Sequence, residues 1–501
     1  MDQAMPMQRR VRGLPAHLTQ PTDLLTQLWG LIVIGVMILQ VVLVITHQPF
    51  FDEWQAVQIA VQVPDLGMLV ENLRYESHPP LWYLFLRGLA SVVGPFHALA
   101  AASLLFGLAT QWLILQESPL PRWARLALAL SQPVLFEFIV VSRGHTIGLF
   151  LIVAALTYWN HKRLVSAPIA LLPAVDFFYG LFAIGLLFIR WRQERLWWPG
   201  LAPFVVVGLV AAWSVYPAAD YVPVYGASDG TLAHFRAALM NFSIVFAPLQ
   251  GTFDQFGWNS KPPGMLRHVG WVFLLATMWS ITRGRLAERV VLFGLFAAMW
   301  IFAATVYPLQ NRHLLLLSLM LVTSLWLRAD EGGTLCLQSR VWLAIGAGCG
   351  LWSAVFALNG TFDRSREIAE FIAAEGLKDA QWVALPEMAG QGVSALTGIG
   401  FERMQDGCLQ SFVRWNVPRD AEVSDLEAWV EGQAAARGRF YVLSTIPLDP
   451  SPAAREIARF PLAQAKVRHF IYEIGPGELL ETKTRPWCVE GLRPFSKTPA
   501  I

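Results

Sequence analysis

Asp52 and Glu53 stand side by side in a short polar interruption of an otherwise apolar stretch, and Arg74, Tyr75, Glu76, His78, Pro79 and Pro80 follow them before the next apolar run. Later interruptions hold Arg143 and His145, then Asp176, then a long stretch with Asp220, Tyr221, Arg236, Asp254, Lys261 and Arg267. The last reads Tyr307-Pro308-Leu309-Gln310-Asn311-Arg312-His313. A carboxylate can take a proton from a hydroxyl, and Arg or Lys can hold a phosphate or another anion. Early carboxylates followed by several separated cations therefore suit a site that binds an anion and runs an acid–base step.

These residues need a scaffold, and the composition says what kind. Of 501 residues, 55% are apolar and 15% charged, with a mean hydropathy of +0.45. From Asn359 to the C-terminus there are 35 Asp, Glu, Lys and Arg in 143 residues, an ordinary soluble density of about 24%. The 358 residues before it hold only 39, about 11%. The chain reads as a membrane protein with one soluble C-terminal domain. A soluble single-domain enzyme and a disordered or fibrous protein are excluded, and a net charge of +2 gives no basis for nucleic-acid binding.

Charge sets the topology. Arg9, Arg10 and Arg12 precede an apolar run at 29–45, too long for a signal-peptide core, so residues 1–28 read as a cytoplasmic tail. Further spans centre on 97–115, 126–142, 144–160, 164–175, 177–189, 199–216, 268–282, 287–306, 312–327 and 341–358. With about eleven spans, every basic cluster falls on the cytoplasmic side: Arg122/Arg125, His161-Lys162-Arg163, Arg190/Arg192, Arg283/Arg285/Arg289 and Arg328/Arg340. Residues 29–358 then form the membrane domain, and 359–501 an extracytoplasmic one. The apolar stretch at 79–94 is an outer juxtamembrane or re-entrant element, because counting it as a span inverts all later clusters. Segments 164–175 and 177–189 are only roughly 20 Å of helix each, short of a core of about 30 Å, so Asp176 lies below the outer surface beside a cavity.

Simpler readings exist for each residue. Asp52-Glu53 suits the first turn of an interfacial helix, where negative charge is favoured. His78-Pro79-Pro80 suits a helix start. Arg143 and Arg312 could snorkel at the interface. Asp176 between two apolar segments is harder to dismiss, since an intramembrane carboxylate is costly.

Taken together, the Asp52-Glu53 pair ahead of His78-Pro79-Pro80-Leu81-Trp82-Tyr83 resembles the GT-C glycosyltransferases, the clan of protein O-mannosyltransferases, aminoarabinose transferases and Rgt-like lipopolysaccharide glycosyltransferases. Ser142-Arg143-Gly144-His145, Asp176-Phe177-Phe178-Tyr179-Gly180-Leu181 and Asn311-Arg312-His313-Leu314-Leu315 resemble later elements of that clan in the same order. The chain departs from it where Asp176 replaces a common His and His313 a common Tyr.

The resemblance implies an inverting transferase that takes a sugar from a polyprenyl-phosphate donor to an acceptor hydroxyl, on a glycolipid, polysaccharide or protein, at the periplasmic face of a bacterial inner membrane. It implies Asp52 as general base with Glu53 beside it, and Arg143, Lys261, Arg267 and Arg312 against the donor phosphate. Glu76, His78, His145, Asp176, Tyr221 and His313 would line the cavity. Some relatives use a divalent metal, for which Asp52, Glu53, Glu76, His78 and Asp176 offer hard ligands. The competing reading is a transporter of a lipid-linked or anionic solute, but no inverted repeat is evident and the polar residues gather at one face instead of the midplane.

The last 143 residues read as a small α/β domain, with helices at 365–374 and 425–436 and strands at 381–385, 440–443 and 469–474, suited to acceptor binding. Gly390-Gln391-Gly392 lacks the third glycine of a dinucleotide loop. In an oxidising compartment Cys408 and Cys488 could pair, although spacing does not establish proximity.

Overall fold

A computed structural model describes residues 24–222, 230–249, 264–360, 362–417, 423–436, 438–449, 451–461, 468–475 and 485–495. The first helix, α1 (Leu24–Thr46), is an uncharged apolar run, long enough to cross a bilayer core. Its successors on the polar side are short: α2 (Phe51–Gln62), α3 (Leu66–Glu76) and α4 (Leu81–Val93). Arg87 on α4 caps α2, its guanidinium donating to the carbonyls of Ala60, Val63 and Pro64 at 3.0–3.1 Å. Asp65 caps α3 by accepting from the Met68 N–H at 2.9 Å.

The membrane part continues through α5 (Pro95–Trp112), α6 (Arg122–Ala129), α7 (Gly144–Thr157), α8 (Ser166–Leu171), α9 (Phe177–Arg192) and α10 (Leu201–Ser214). It then runs through α11 (Leu232–Asn241), α12 (Ser243–Phe246), α13 (Gly264–Ile281), α14 (Leu286–Thr305), α15 (Asn311–Asp330) and α16 (Leu337–Asn359). Five helices among the described residues are long and apolar enough to cross a membrane: those spanning Gln27–Thr46, Pro95–Glu117, Leu286–Thr305, Asn311–Asp330 and Leu337–Asn359. α15 is buried over 83% of its apolar window, against 33–50% for the other four. It is the axis of the bundle, packed by α7, α9, α12, α13 and α14, while the others leave more of their apolar surface exposed.

The 126–142 segment is not one helix. α6 stops at Ala129, and after Pro133, which has no N–H, the chain makes a π-turn over Pro133–Glu137 and then irregular turns to Ser142. α16 presses its backbone onto this break at Gly350, where a Cβ would lie 1.9 Å from the Leu130 carbonyl oxygen. The segments expected at 164–175 and 177–189 become α8 with a 3-10 turn at Leu172–Ala174, then a longer α9.

Basic residues collect at one end of the bundle. Arg122 lies over Trp29 near the start of α1 (5.8 Å), Asn160 bonds both Arg195 (2.7 Å) and Asp330 (2.8 Å), Arg190 donates to the Trp159 carbonyl (2.6 Å), and Arg285 pairs with Glu331. The starts of α2, α7, α9 and α15 gather at the other end, on the side that carries the C-terminal domain.

That domain holds α17 (Ser365–Ala374), α18 (Gln391–Thr397) and α19 (Val423–Ala436) around a six-stranded sheet. Its strands are β1 (Trp382–Leu385), β2 (Phe401–Glu402), β3 (Leu409–Gln410), β4 (Phe440–Ser444), β5 (Ala454–Pro461) and β6 (Arg468–Ile474), in the order β3-β2-β1-β4-β6-β5. β1 pairs in parallel with β2 and β4, and the remaining pairings are antiparallel. Alternation along β1 sends Trp382 and Ala384 toward Ile368 and Ile372 of α17, and Val383 and Leu385 toward Val430 of α19. Cys408 and Cys488 form a disulfide that ties the start of β3 to the C-terminal segment.

Candidate active site

Asp52 and Glu53 occupy the first turn of α2, yet their environments differ. Glu53 is fully buried, and its carboxylate accepts from the Phe50 N–H (3.1 Å) and the Ser142 N–H (2.7 Å) and meets His47 Nε2 at 2.8 Å. It thereby ties the end of α1, the start of α2 and the approach to α7 into one joint. Asp52 is partly buried, its side chain 22% exposed, and receives two guanidiniums. Arg143, at the N-terminus of α7, pairs with its Oδ2, and Arg312, in the first turn of α15, reaches the same oxygen at 3.5 Å.

Burial alone pushes the Asp52 carboxyl up, but Arg143 and Arg312, with His78, outweigh it and hold the group below the usual carboxylate range. His78 lies in the turn between α3 and α4, its Nδ1 2.6 Å from the Glu76 carbonyl oxygen, so Nδ1 donates and Nε2 is left as an acceptor. Burial and then the Arg143 charge hold His78 below the ordinary histidine range.

The remaining expected residues are distributed as follows. His145 and His313 stand edge to face at 5.8 Å, and Tyr179 from α9 donates to the His145 carbonyl at 3.3 Å. Tyr179 reaches it because Gly148 lets α7 and α9 approach: a Cβ there would lie 2.3 Å from the Tyr179 ring. His313 Nδ1 accepts from the Gln310 N–H (3.3 Å), so its proton is on Nε2. Asp176 is buried and caps α9 through the Phe178 N–H at 2.9 Å. Glu76 accepts from Gln55 at 2.5 Å, and Tyr221 packs near Glu76 and Tyr307. Among the described residues, no hydrogen bond or ion pair joins Arg267 to Asp52, Arg143 or Arg312. Lys261, Asp254 and residues 1–23 lie outside the described residues.

Two residues not singled out in the sequence belong to this neighbourhood. Tyr83, the end of the His-Pro-Pro-Leu-Trp-Tyr run, is buried within electrostatic reach of Asp52 and Arg143. Glu137, in the π-turn, is buried within reach of Arg312, with Gln132 donating to it at 3.1 Å. A lone carboxylate in the run Val134–Val141 was its signal, masked because the run reads as a plain span.

Three of the five candidate metal ligands are already engaged, leaving Glu76 and His78. Asp52 is neutralised by arginines, Glu53 is enclosed by its three donors and Asp176 is spent on a cap. Among the described residues, the group of three or more His, Cys, Asp and Glu side chains close enough to share an ion is Asp406, Cys408 and Cys488, and those cysteines are bonded to each other.

No protein-family model matches the chain, and no curated protein matches it. Among solved structures, the crystal structure of ArnT from Cupriavidus metallidurans in the apo state aligns with a TM-score of 0.52 at 12% identity, covering 90% of this chain and 98% of that one. Arabinosyltransferase EmbB from Mycobacterium smegmatis aligns at 0.31 and 14% identity, over 78% of this chain and 45% of that one. This chain shares the fold of the ArnT crystal structure.

Proposed function

We propose that the protein is an inverting glycosyltransferase that moves a sugar from a polyprenyl-phosphate donor to an acceptor hydroxyl at the outer face of a bacterial inner membrane. The observation that carries this is the convergence of Arg143 and Arg312, from two separate helices, on Asp52 at the start of a third. The donor phosphate competes with Asp52 for the two guanidiniums. As they turn to phosphate, the hold on the carboxylate weakens while its burial persists, so its basicity rises when donor is bound. Asp52 then takes the acceptor proton as the acceptor oxygen attacks the anomeric carbon. The carbon–oxygen bond to phosphate breaks, and the electron pair leaves with the phosphate, whose charge the arginines stabilise. Glu53 keeps α2 seated against Ser142 and Arg143 instead of transferring a proton.

The disulfide in the C-terminal domain and the basic residues at the opposite end of the bundle both support an outward-facing site. The fold likeness to ArnT supports a sugar transferase and leaves sugar and acceptor open. Purified protein incubated with a panel of polyprenyl-phosphate sugars tests the reading. Consumption of one lipid-sugar with release of polyprenyl phosphate is expected; solute flux in proteoliposomes without consumption would replace it with a transporter.

A further inference from the structure

α2 has a second function-bearing face. Gln55, Gln58 and Gln62 are spaced to lie along one side of the helix, and all three are buried, at 6%, 0% and 1% exposure. Each is bonded to the C-terminal domain. Gln55 donates to the Val413 carbonyl and accepts from the Val413 N–H, both at 3.0 Å, and its side-chain amide is hydrogen-bonded with that of Gln391. Gln58 donates to the Gln391 carbonyl at 3.2 Å. Ser411 donates to Gln62 Oε1 at 2.5 Å, and the Arg493 N–H to the Gln62 carbonyl at 2.9 Å. Beside them Trp54 packs on Gly392, where an added Cβ would lie 3.0 Å from the indole and 2.2 Å from Ser365.

Three chain segments far apart in sequence thus grip one helix through polar groups that have no water to fall back on. Burying an amide without its partner is costly, so this row favours one placement of the domain on α2. Asp52 sits one turn before Gln55, whereas its arginines belong to α7 and α15 of the bundle. A tilt or slide of α2 therefore changes the Asp52 geometry relative to Arg312 of α15, while Glu53 ties the movement to Ser142 and Arg143.

We infer that the C-terminal domain positions Asp52 for reaction through a glutamine clamp on α2, with Gln55, Gln58 and Gln62 as positioning residues. This rests on the proposed role of Asp52. A misplacement of about 1 Å costs reaction rate on the order of 10²-fold, because reacting atoms must lie within a narrow approach distance.

The test uses the full-length protein in detergent, with the polyprenyl-phosphate sugar it consumes, and the variants Gln58→Leu, Gln62→Leu and the milder domain-side Ser411→Ala. Each is expected to lower kcat roughly 10–100-fold with donor KM unchanged, and to speed hydrogen exchange in peptides covering 51–62 but not those of α15. Gln62→Leu combined with Ser411→Ala should lose no more than Gln62→Leu alone, since both remove the same bond. Unchanged exchange at 51–62 in all three variants overturns the clamp. Faster exchange with normal kcat, in a protein that Asp52→Asn inactivates, overturns the positioning role. Full activity in Asp52→Asn overturns the catalytic reading instead, while the exchange data still judge the clamp.

Discussion

Asp52 carries the proposed chemistry in a position that also suits a helix start, and substitution separates the two. Asp52→Asn keeps size and capping ability but cannot accept a proton, so transfer should fall roughly 10²–10⁴-fold with thermal unfolding unchanged. A nearly silent Asn variant would leave only the cap. For Arg312, the Ala variant should raise donor KM more than the Lys variant, because Lys keeps the charge and loses the planar fork. Equal KM in Arg312→Ala and the parent would reduce Arg312 to a packing residue. Asp363 tests local electrostatics where α16 hands over to the C-terminal domain. It accepts from the Ser365 N–H at 2.7 Å, and burial, with Glu367 and Glu53 nearby, pushes its carboxyl from 3.8 up to about 6. The folded state thus favours the neutral acid, so this group stabilises most below about pH 4 and its contribution is lost as pH rises through about 6. Asp363→Asn retains the acceptor without the ionisation. It should flatten that decline and gain at most about 3 kcal/mol at pH 7, read from unfolding midpoints between pH 4 and 8.

At the level of elements, the site depends on close helix approaches that have little to do with its own side chains. The break between α6 and α7 delivers Ser142 to Glu53 and Arg143 to Asp52, and α16 holds that break by backbone contact at Gly350. Gly350→Ala puts a methyl against the Leu130 carbonyl, which cannot move without shifting the π-turn. A loss of about 1–3 kcal/mol or more in stability is expected, with weakened donor use, and the neighbouring Gly348→Ala, whose Cβ would meet open space, should be silent. Equal melting temperatures for the two variants would show that the break tolerates displacement.

For the molecule as a whole, the same arrangement predicts sidedness. Cysteines placed at 217–222 and in the C-terminal domain should react with impermeant reagent from outside intact cells or spheroplasts, and those at 161–163 and 190–195 only after permeabilisation. Cys408 and Cys488 should resist thiol reagents until reductant is added. Labelling of the C-terminal domain from the cytoplasm would reverse the orientation and with it the source of donor and acceptor.

Much of this architecture was readable in one dimension, for a reason tied to solvent. A bilayer disfavours unpaired charge and unpaired backbone, so charge density marks the apolar part of the chain, whose last long helix, α16, stops at Asn359, and the basic clusters lie at one end of the bundle. Amphipathic period placed α17 at Ser365–Ala374 and alternation placed β1, β4 and β6, because those elements bury faces that local spacing records. The polar residues that meet at the site were visible too, since Asp52, Arg143 and Arg312 each interrupt apolar sequence. Their division of labour was not. Glu53, adjacent to Asp52 and chemically its equal, is enclosed by donors from residues 47, 50 and 142, and Arg267 stands apart from the ion-pair cluster. β2 and β3 have two residues each and exist only by pairing with neighbours, and β5 is a charged edge strand, so no local period announced them. Nothing in the sequence singled out Gln55, Gln58 and Gln62. Partners more than 300 residues away in the chain made them buried contacts, because hydrogen bonding between distant segments depends on where the fold brings them and leaves no trace in spacing.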